Sequence, residues 1–299
     1  MSDKKISQLT ELVSPNAATD ILLVLDTLAS NTKSIELSKL PMSDSAIRHS
    51  PSFTTDIISS TIRTRDLTSI SNSSGFRYSN SLTSIHIGTN VTSLGSSSFY
   101  NCTNLHSVSL SPNIISIGAL AFYNCSSLIK ITIPNSVATI GVSAFSRCAM
   151  TSITIPESVT AIGDAAFMFC PSLTSVNLPS RLQTIESYSF YNCTSLSSIA
   201  IPDSVTSIGS YAFAYTNLTN ITIPSSVTSI GNAAFSYSSN LSTLNSLATS
   251  APSVVSAGNS SFLGSSNLTQ IHVPEGAAAS YKEAGNGTTY AGLIIVDDL

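Results

Sequence analysis

Charge is what this sequence most lacks. Only 9% of its 299 residues are Asp, Glu, Lys or Arg, against about 25% in an average globular domain, so solubility must rest on hydroxyls and amides. The twelve cations and sixteen anions leave a net charge of −4 and a pI near 5.4. That balance provides no clustered basic field for a nucleic acid or an anionic membrane, and neither is expected as a partner. The five cysteines are an odd number, which argues against a disulfide framework. The longest apolar runs, Ile21–Leu25 and Leu293–Val296, are far too short to span a bilayer. No apolar stretch of signal-peptide type follows Met1, so the sequence as written is expected to begin in a cytoplasm. His49, His86, His106 and His272 are dispersed, none at ligand or triad spacing from a Cys or a carboxylate, and there is no glycine-rich phosphate loop. No catalytic group, cofactor or metal is therefore expected, and the chain is not read as an enzyme.

What is present is a repeat. Phe99, Phe122, Phe145, Phe167, Phe190, Phe213 and Phe235 follow one another at intervals of 23, 23, 22, 23, 23 and 22 residues. Gly95, Gly118, Gly141, Gly163, Gly209 and Gly231 keep the same step, with Glu186 the one departure. So do Leu105, Leu128, Leu173, Leu196, Leu218 and Leu241, with Met150 in the remaining place. Between Leu and Gly each unit has an alternating apolar pair and then Pro, as in Ile131–Thr132–Ile133–Pro134, Ile153–Thr154–Ile155–Pro156, Ile199–Ala200–Ile201–Pro202 and Ile221–Thr222–Ile223–Pro224. Period two predicts a short strand that Pro terminates, since Pro cannot donate a ladder hydrogen bond. A second extended piece precedes Gly, and the Ala- and Phe-containing segment after Gly predicts a short helix or 3₁₀ turn on a convex side. One such coil exposes apolar residues on both stacking faces, so stability belongs to the array.

These units resemble the BspA-type leucine-rich repeats, on Ser204–Gly209, Ala212–Phe213, Asn192–Cys193 and Leu82–Ile85. The resemblance implies an α/β repeat, a right-handed leucine-rich-repeat solenoid of 22- to 23-residue coils over residues 67–274, with a small N-terminal β module. Phe76 and Leu82 lie one period before Phe99 and Leu105, as in a first, capping coil. Residues 275–299 resemble the closing helix and strand of such arrays, with Gly287 where those usually carry Trp.

The first forty residues read as a starter segment and two strands, which need a partner to be stable in water. Lys5–Leu12, Asp20–Asp26 and Thr32–Leu40 also resemble the opening of bacteriophage tail-fibre and minor virion proteins. That resemblance implies an attachment or oligomerisation module over 1–40, using Ile6, Leu9, Leu12, Leu23, Leu25, Ile35 and Leu37, with 41–66 as connector. An ordinary hairpin packed on the solenoid's open end is the plainer alternative. The expected function is accordingly a phage virion structural protein, a tail fibre or similar appendage located in the virion. It would contact tail or capsid proteins through its N-terminus and a host-surface glycan or protein through the solenoid, and a homotrimer is implied by resemblance alone. A cellular BspA-like surface adhesin and a capsid-decorating protein are the alternatives.

Two surfaces are candidates for recognition. Ser107, Ser109, Lys130, Thr132, Ser152, Thr154, Ser175, Asn177, Asn220 and Thr222 fall on outward strand positions and form a hydroxyl-rich face, which reads first as solvated strand. Tyr188, Tyr191, Tyr211, Tyr215 and Tyr237 fall near Phe in adjacent coils and should cluster beside the convex edge, where a ring offers contact area and a polar handle. Cys102, Cys125, Cys148, Cys170 and Cys193 occupy one column and read as core thiols, because a linear ladder has no tetrahedral ligand set.

Overall fold

The computed structural model describes residues 35–36, 61–64, 70, 76–254, 260–284, 289–290 and 293–299. They form a parallel β-solenoid. Strands such as Ser84–Ile87, Ser107–Ser109 and Lys130–Ile131 pair in register, Ser84 against Ser107 and Ser107 against Lys130, one per coil. The alternation works as predicted: Val108 is buried between exposed Ser107 and Ser109, and Ile153 between exposed Ser152 and Thr154. Pro then turns the chain, and its carbonyl accepts the amide three residues on, as in Val137 to Pro134 and Val159 to Pro156, both 3.0 Å. A second parallel ladder follows, with Ser93–Leu94, Ser116–Ile117, Thr139–Ile140 and Ala161–Ile162 side by side.

Among the described residues, the short helix or 3₁₀ turn that composition predicts for the convex segment forms as such only at Ser260–Phe262 in the last coil; in the coils before it the segment is a run of turns. Its amides alternate between a local bond and a bond to the next coil. Ser98, Tyr100 and Cys102 donate to carbonyls three residues back, whereas Ser97, Phe99 and Asn101 donate to Ala119, Ala121 and Tyr123. A helix would direct these amides to carbonyls of its own turn and remove the backbone bonds that join the coils on this side. The alternation requires two residues per coil in the left-handed region, two before and two after the Phe, for example Ser97 (φ 59°) and Asn101 (φ 60°). The small residues Ala121, Ala144, Ala166, Ala212 and Ala234 are buried in this turn beside the Phe column. Nine phenylalanines from Phe76 to Phe262 stack continuously, with centroids 5.1 to 5.6 Å apart and planes within 12°.

Glycine keeps the second corner tight. A Cβ at Gly141 would lie 2.4 Å from the Ala119 nitrogen, and one at Gly209 2.4 Å from that of Ser187. Glu186 puts a Cβ into this column, and there the second ladder stops: Ala161–Ile162 ends one sheet, and Thr184–Ile185 begins another. The coils remain joined across this fault by the convex turn, where Ala165, Phe167 and Phe169 donate to Ser187, Ser189 and Tyr191. The first ladder is interrupted too, between Lys130–Ile131 and Ser152–Thr154 and again, where the strand expected at 199–201 is absent, between Ser175–Asn177 and Asn220–Ile223.

Both ends extend the array. Thr61–Thr64 pairs with Ser84–Ile87, and Ile35–Glu36 pairs with Thr61–Thr64. The first sheet therefore reaches into the expected connector and the expected N-terminal module, beyond the start at residue 67. At the other end, Leu293–Asp297 adds a parallel strand to Gln270–Val273, and Thr289–Tyr290 folds back antiparallel on it. The helix Ala278–Ala284 packs Tyr281 fully inside, where its hydroxyl meets Ser246 Oγ at 2.6 Å and the Ala248 carbonyl at 2.9 Å. Tyr281 thus fills the cap interior; Gly287 lies outside the described residues.

Substituting Gly141 with Ala is expected to cost about 1 to 3 kcal/mol through overpacking against Ala119. Glu186→Gly is expected to raise the thermal midpoint instead. Differential scanning calorimetry of both variants checks the pair, and a neutral Gly141→Ala would contradict the close approach.

Candidate recognition surfaces

The structure brings all five predicted tyrosines together on the convex edge. Tyr188 and Tyr211 stand two residues before the Phe of successive coils and stack at 5.0 Å, while Tyr215 and Tyr237 stand two residues after it and stack at 4.8 Å. Tyr191 lies between these pairs, 5.6 Å from Tyr188, 6.4 Å from Tyr211 and 5.5 Å from Tyr215. The facing residue of the next coil is the small, buried Ala214, which leaves room for that ring. Burial first, and then the neighbouring phenols of Tyr215, Tyr188 and Tyr211, push the Tyr191 hydroxyl above its ordinary pKa.

Four of these tyrosines, 188, 211, 215 and 237, have φ between 56 and 59°. A left-handed L-residue costs about 1 to 2 kcal/mol, and Asn, as at Asn101, Asn124 and Asn192, is the usual occupant. Large rings are thus held in a conformation that disfavours them, and Tyr188, Tyr215 and Tyr237 remain 37 to 46% exposed. The ridge continues into Phe169, edge-on to Tyr191 at 5.4 Å, with the Arg147 guanidinium 4.6 Å above the Phe169 ring.

Sequence reasoning missed a second aromatic strip on the same edge. Tyr78, Tyr100 and Tyr123 form a row with centroids 5.5 and 5.0 Å apart, and the Arg77 guanidinium sits 5.2 Å from the Tyr78 ring and 4.7 Å from that of Tyr100. The signal was available, because these residues occupy the same places one and two after Phe as Tyr191 and Tyr215.

The outward strand positions are exposed as expected, from Ser107 to Thr222. Some of their groups are already engaged with one another, such as His86 Nδ1 with Ser109 Oγ at 3.0 Å and Asn177 Nδ2 donating to Thr154 Oγ1 at 3.3 Å. One expectation about histidine is corrected. His272 Nδ1 lies 2.9 Å from Asp298 Oδ1, because the last strand returns the C-terminal tail alongside Gln270–Val273. A separation of 26 residues hid this pair from a search for local spacings.

The five cysteines are free and buried. Each thiol donates to the carbonyl of the Phe at the start of the preceding coil, Cys102 to Phe76 at 2.7 Å and Cys125, Cys148, Cys170 and Cys193 to Phe99, Phe122, Phe145 and Phe167 at 3.2 Å. Ser238 and Ser265 continue the column on Phe213 and Phe235. The cysteine is therefore a compact donor in an apolar wall, interchangeable with a hydroxyl. Among the described residues, no group of three or more His, Cys, Asp or Glu converges as metal ligands would. Of the predicted attachment residues, Ile35 lies in the strand Ile35–Glu36, while Ile6, Leu9, Leu12, Leu23, Leu25 and Leu37 lie outside the described residues.

This repeat geometry is that of a leucine-rich-repeat solenoid. The family described as "BspA type Leucine rich repeat region (6 copies)" matches residues 47–173 and 160–284, so the chain belongs to the BspA-type leucine-rich-repeat family. Among solved structures it is similar to a leucine-rich repeat protein from Bacteroides ovatus, with 25% identity, 80% of this chain and 69% of that one covered, and a TM-score of 0.57. It is also similar to the T. pallidum leucine rich repeat protein, with 27% identity, 52% of this chain and 76% of that one covered, and a TM-score of 0.50. No curated protein matches.

Burial pushes the Cys102 and Cys170 thiols up to about 12 from an ordinary 9.0, and the other three are also raised well above it. The unfolded chain loses these protons first as pH rises, so the stability the thiols contribute is complete below about pH 9 and declines above it. All five should resist a water-soluble alkylating reagent at pH 8.5 in the native protein and react on unfolding, as counted by intact mass. Alkylation of the native chain would contradict the buried column.

Proposed function

We propose that the chain is an adhesin-like surface protein that recognises a partner protein through the tyrosine ridge of its solenoid. The observation that carries this reading is the ridge itself: Tyr188, Tyr191, Tyr211, Tyr215 and Tyr237, several of them exposed and four in a backbone conformation that a large side chain disfavours. Contiguous exposed aromatic surface is a mark of binding sites. Tyrosine suits them because its ring buries area at low entropic cost while its hydroxyl remains usable. Family membership supports the class of molecule, a repeat array presenting an extended surface.

A second reading keeps the same contact surface and changes what holds the other end. The Lys5–Leu12 string and the segments that follow it resemble virion attachment modules, so residues 1–40 would fix the solenoid to a phage tail or capsid. The relatives described above are bacterial leucine-rich-repeat proteins, which favours the cellular adhesin.

Replacing Tyr211 and Tyr215 together with Ser removes one ring from each stacked pair and leaves the Phe column untouched. Buried aromatic anchors at interfaces are commonly worth about 2 kcal/mol or more, so binding of the full chain to intact host cells should fall at least about tenfold, measured by flow cytometry. Unchanged binding would sink the ridge as the contact surface.

A further inference from the structure

The charges of the solenoid are segregated along its axis. Residues 67–156 contain Arg77, Lys130 and Arg147 and not one Asp or Glu, whereas residues 157–299 contain eight carboxylates against Arg181 and Lys282. The remaining cations and anions precede residue 67. Within the acid-free stretch, two guanidinium groups stand on the convex edge, Arg77 over Tyr78 and Tyr100 and Arg147 over Phe169. Both arginines are exposed. Three coils separate Phe76 from Phe145, with successive ring centroids 5.3, 5.1 and 5.4 Å apart.

The surface between them is uncharged and polar. Tyr100 and Tyr123 stack there, and Asn124 Nδ2 donates to Asn101 Oδ1 at 2.6 Å, extending an amide row beside the rings. Each guanidinium rests over an aromatic ring, which restrains the side chain, and Arg's planar fork is the group that recognises a carboxylate or sulfate by paired hydrogen bonds. From these features we infer that the convex edge of residues 77–147 is a docking strip for a linear acidic polysaccharide, whose anionic groups meet Arg77 and Arg147 and whose intervening hydroxyls meet the Tyr and Asn row. The absence of carboxylates from 67–156 removes the repulsion that the rest of the chain would exert on such a polymer.

The spacing selects among polyanions. Duplex nucleic acid carries one charge per about 1.7 Å of axis and needs a dense basic surface, and two guanidiniums with one lysine on another face do not supply it. A polysaccharide, whose anionic groups are set apart by neutral hydroxyls, suits the strip better. This surface meets the Tyr188–Tyr237 ridge at Phe169, over which the Arg147 guanidinium lies, and its anion contacts use none of the ridge's tyrosines.

The test uses the full chain on surfaces bearing hyaluronan, whose charge is carboxylate alone, and chondroitin sulfate, which adds sulfate, with dextran, poly-glutamate and oligo-thymidylate as comparisons. Binding to at least one of the two acidic polysaccharides, weakened by salt and absent on dextran, is expected. The stronger of the two identifies which anion the arginines prefer. Arg77→Gln with Arg147→Gln should weaken it at least about tenfold, the loss of two charge-assisted contacts. Arg181→Gln and the Tyr211→Ser, Tyr215→Ser pair should leave it unchanged, which separates this strip from the ridge. Circular dichroism melts confirm that the variants fold. No binding to either acidic polysaccharide, equal binding by the double arginine variant, or stronger binding to poly-glutamate or oligo-thymidylate would overturn the assignment.

Discussion

One coil must approach the next closely enough for backbone to bond to backbone on three sides, and the rest of the molecule follows from that distance. It requires Gly at the corner where a Cβ at 141 or 209 would fall 2.4 Å from the preceding coil. It leaves room for only Ala or Ser beside the Phe column, and it brings each Phe ring within 5.1 to 5.6 Å of the next, a separation at which rings stack flat. The same spacing lets a thiol or hydroxyl reach the Phe carbonyl of the preceding coil, so Cys193 and Ser238 do the same work despite different chemistry. Stability is therefore shared between neighbours and belongs to no coil alone.

That distance also explains why the outer surface is organised in columns. Any residue type repeated at one place in the sequence becomes a row in space, which is how scattered tyrosines become the stacks Tyr188–Tyr211 and Tyr215–Tyr237. Most left-handed positions flanking Phe leave the side chain at least partly exposed, Ala165 and Ala233 being the buried ones. A sequence can vary these positions without disturbing the Phe column, and here it places aromatic rings and Arg147 on them. The scarcity of charge makes the few guanidinium groups conspicuous, and the placement of Arg77 and Arg147 in an acid-free stretch gives the solenoid a direction.

Much of the architecture was legible because the Phe, Gly and Leu columns share one register, and a fixed register leaves stacking as the only way to bury them. The strands followed from alternation, as at Ser107–Val108–Ser109. The convex turn was not legible, since Ala-rich composition suits a helix and the alternating bonds depend on a neighbour that a single repeat does not contain. The missing strand at 199–201 had a normal strand pattern, so nothing local marked it. Glu186, by contrast, was visible as a departure, but its consequence required knowing that Gly marks a close approach. The ladder's extension to Thr61–Thr64 had a sequence signal too, since Phe53 stands 23 residues before Phe76. The tyrosine ridge follows from spacing, and the same places one and two after Phe, at Tyr78, Tyr100 and Tyr123, mark the strip that Arg77 covers.

The most direct test of stacking as the source of stability is amide hydrogen exchange resolved by residue across 76–254. Amides that bond between coils, such as those of Phe99, Phe122, Phe167 and Phe213, should share high protection, with exchange stepping at the fault between Ile162 and Glu186, where the second ladder is interrupted. Protection confined to single coils, or uniform through the fault, would contradict an array held together by backbone bonds between neighbours.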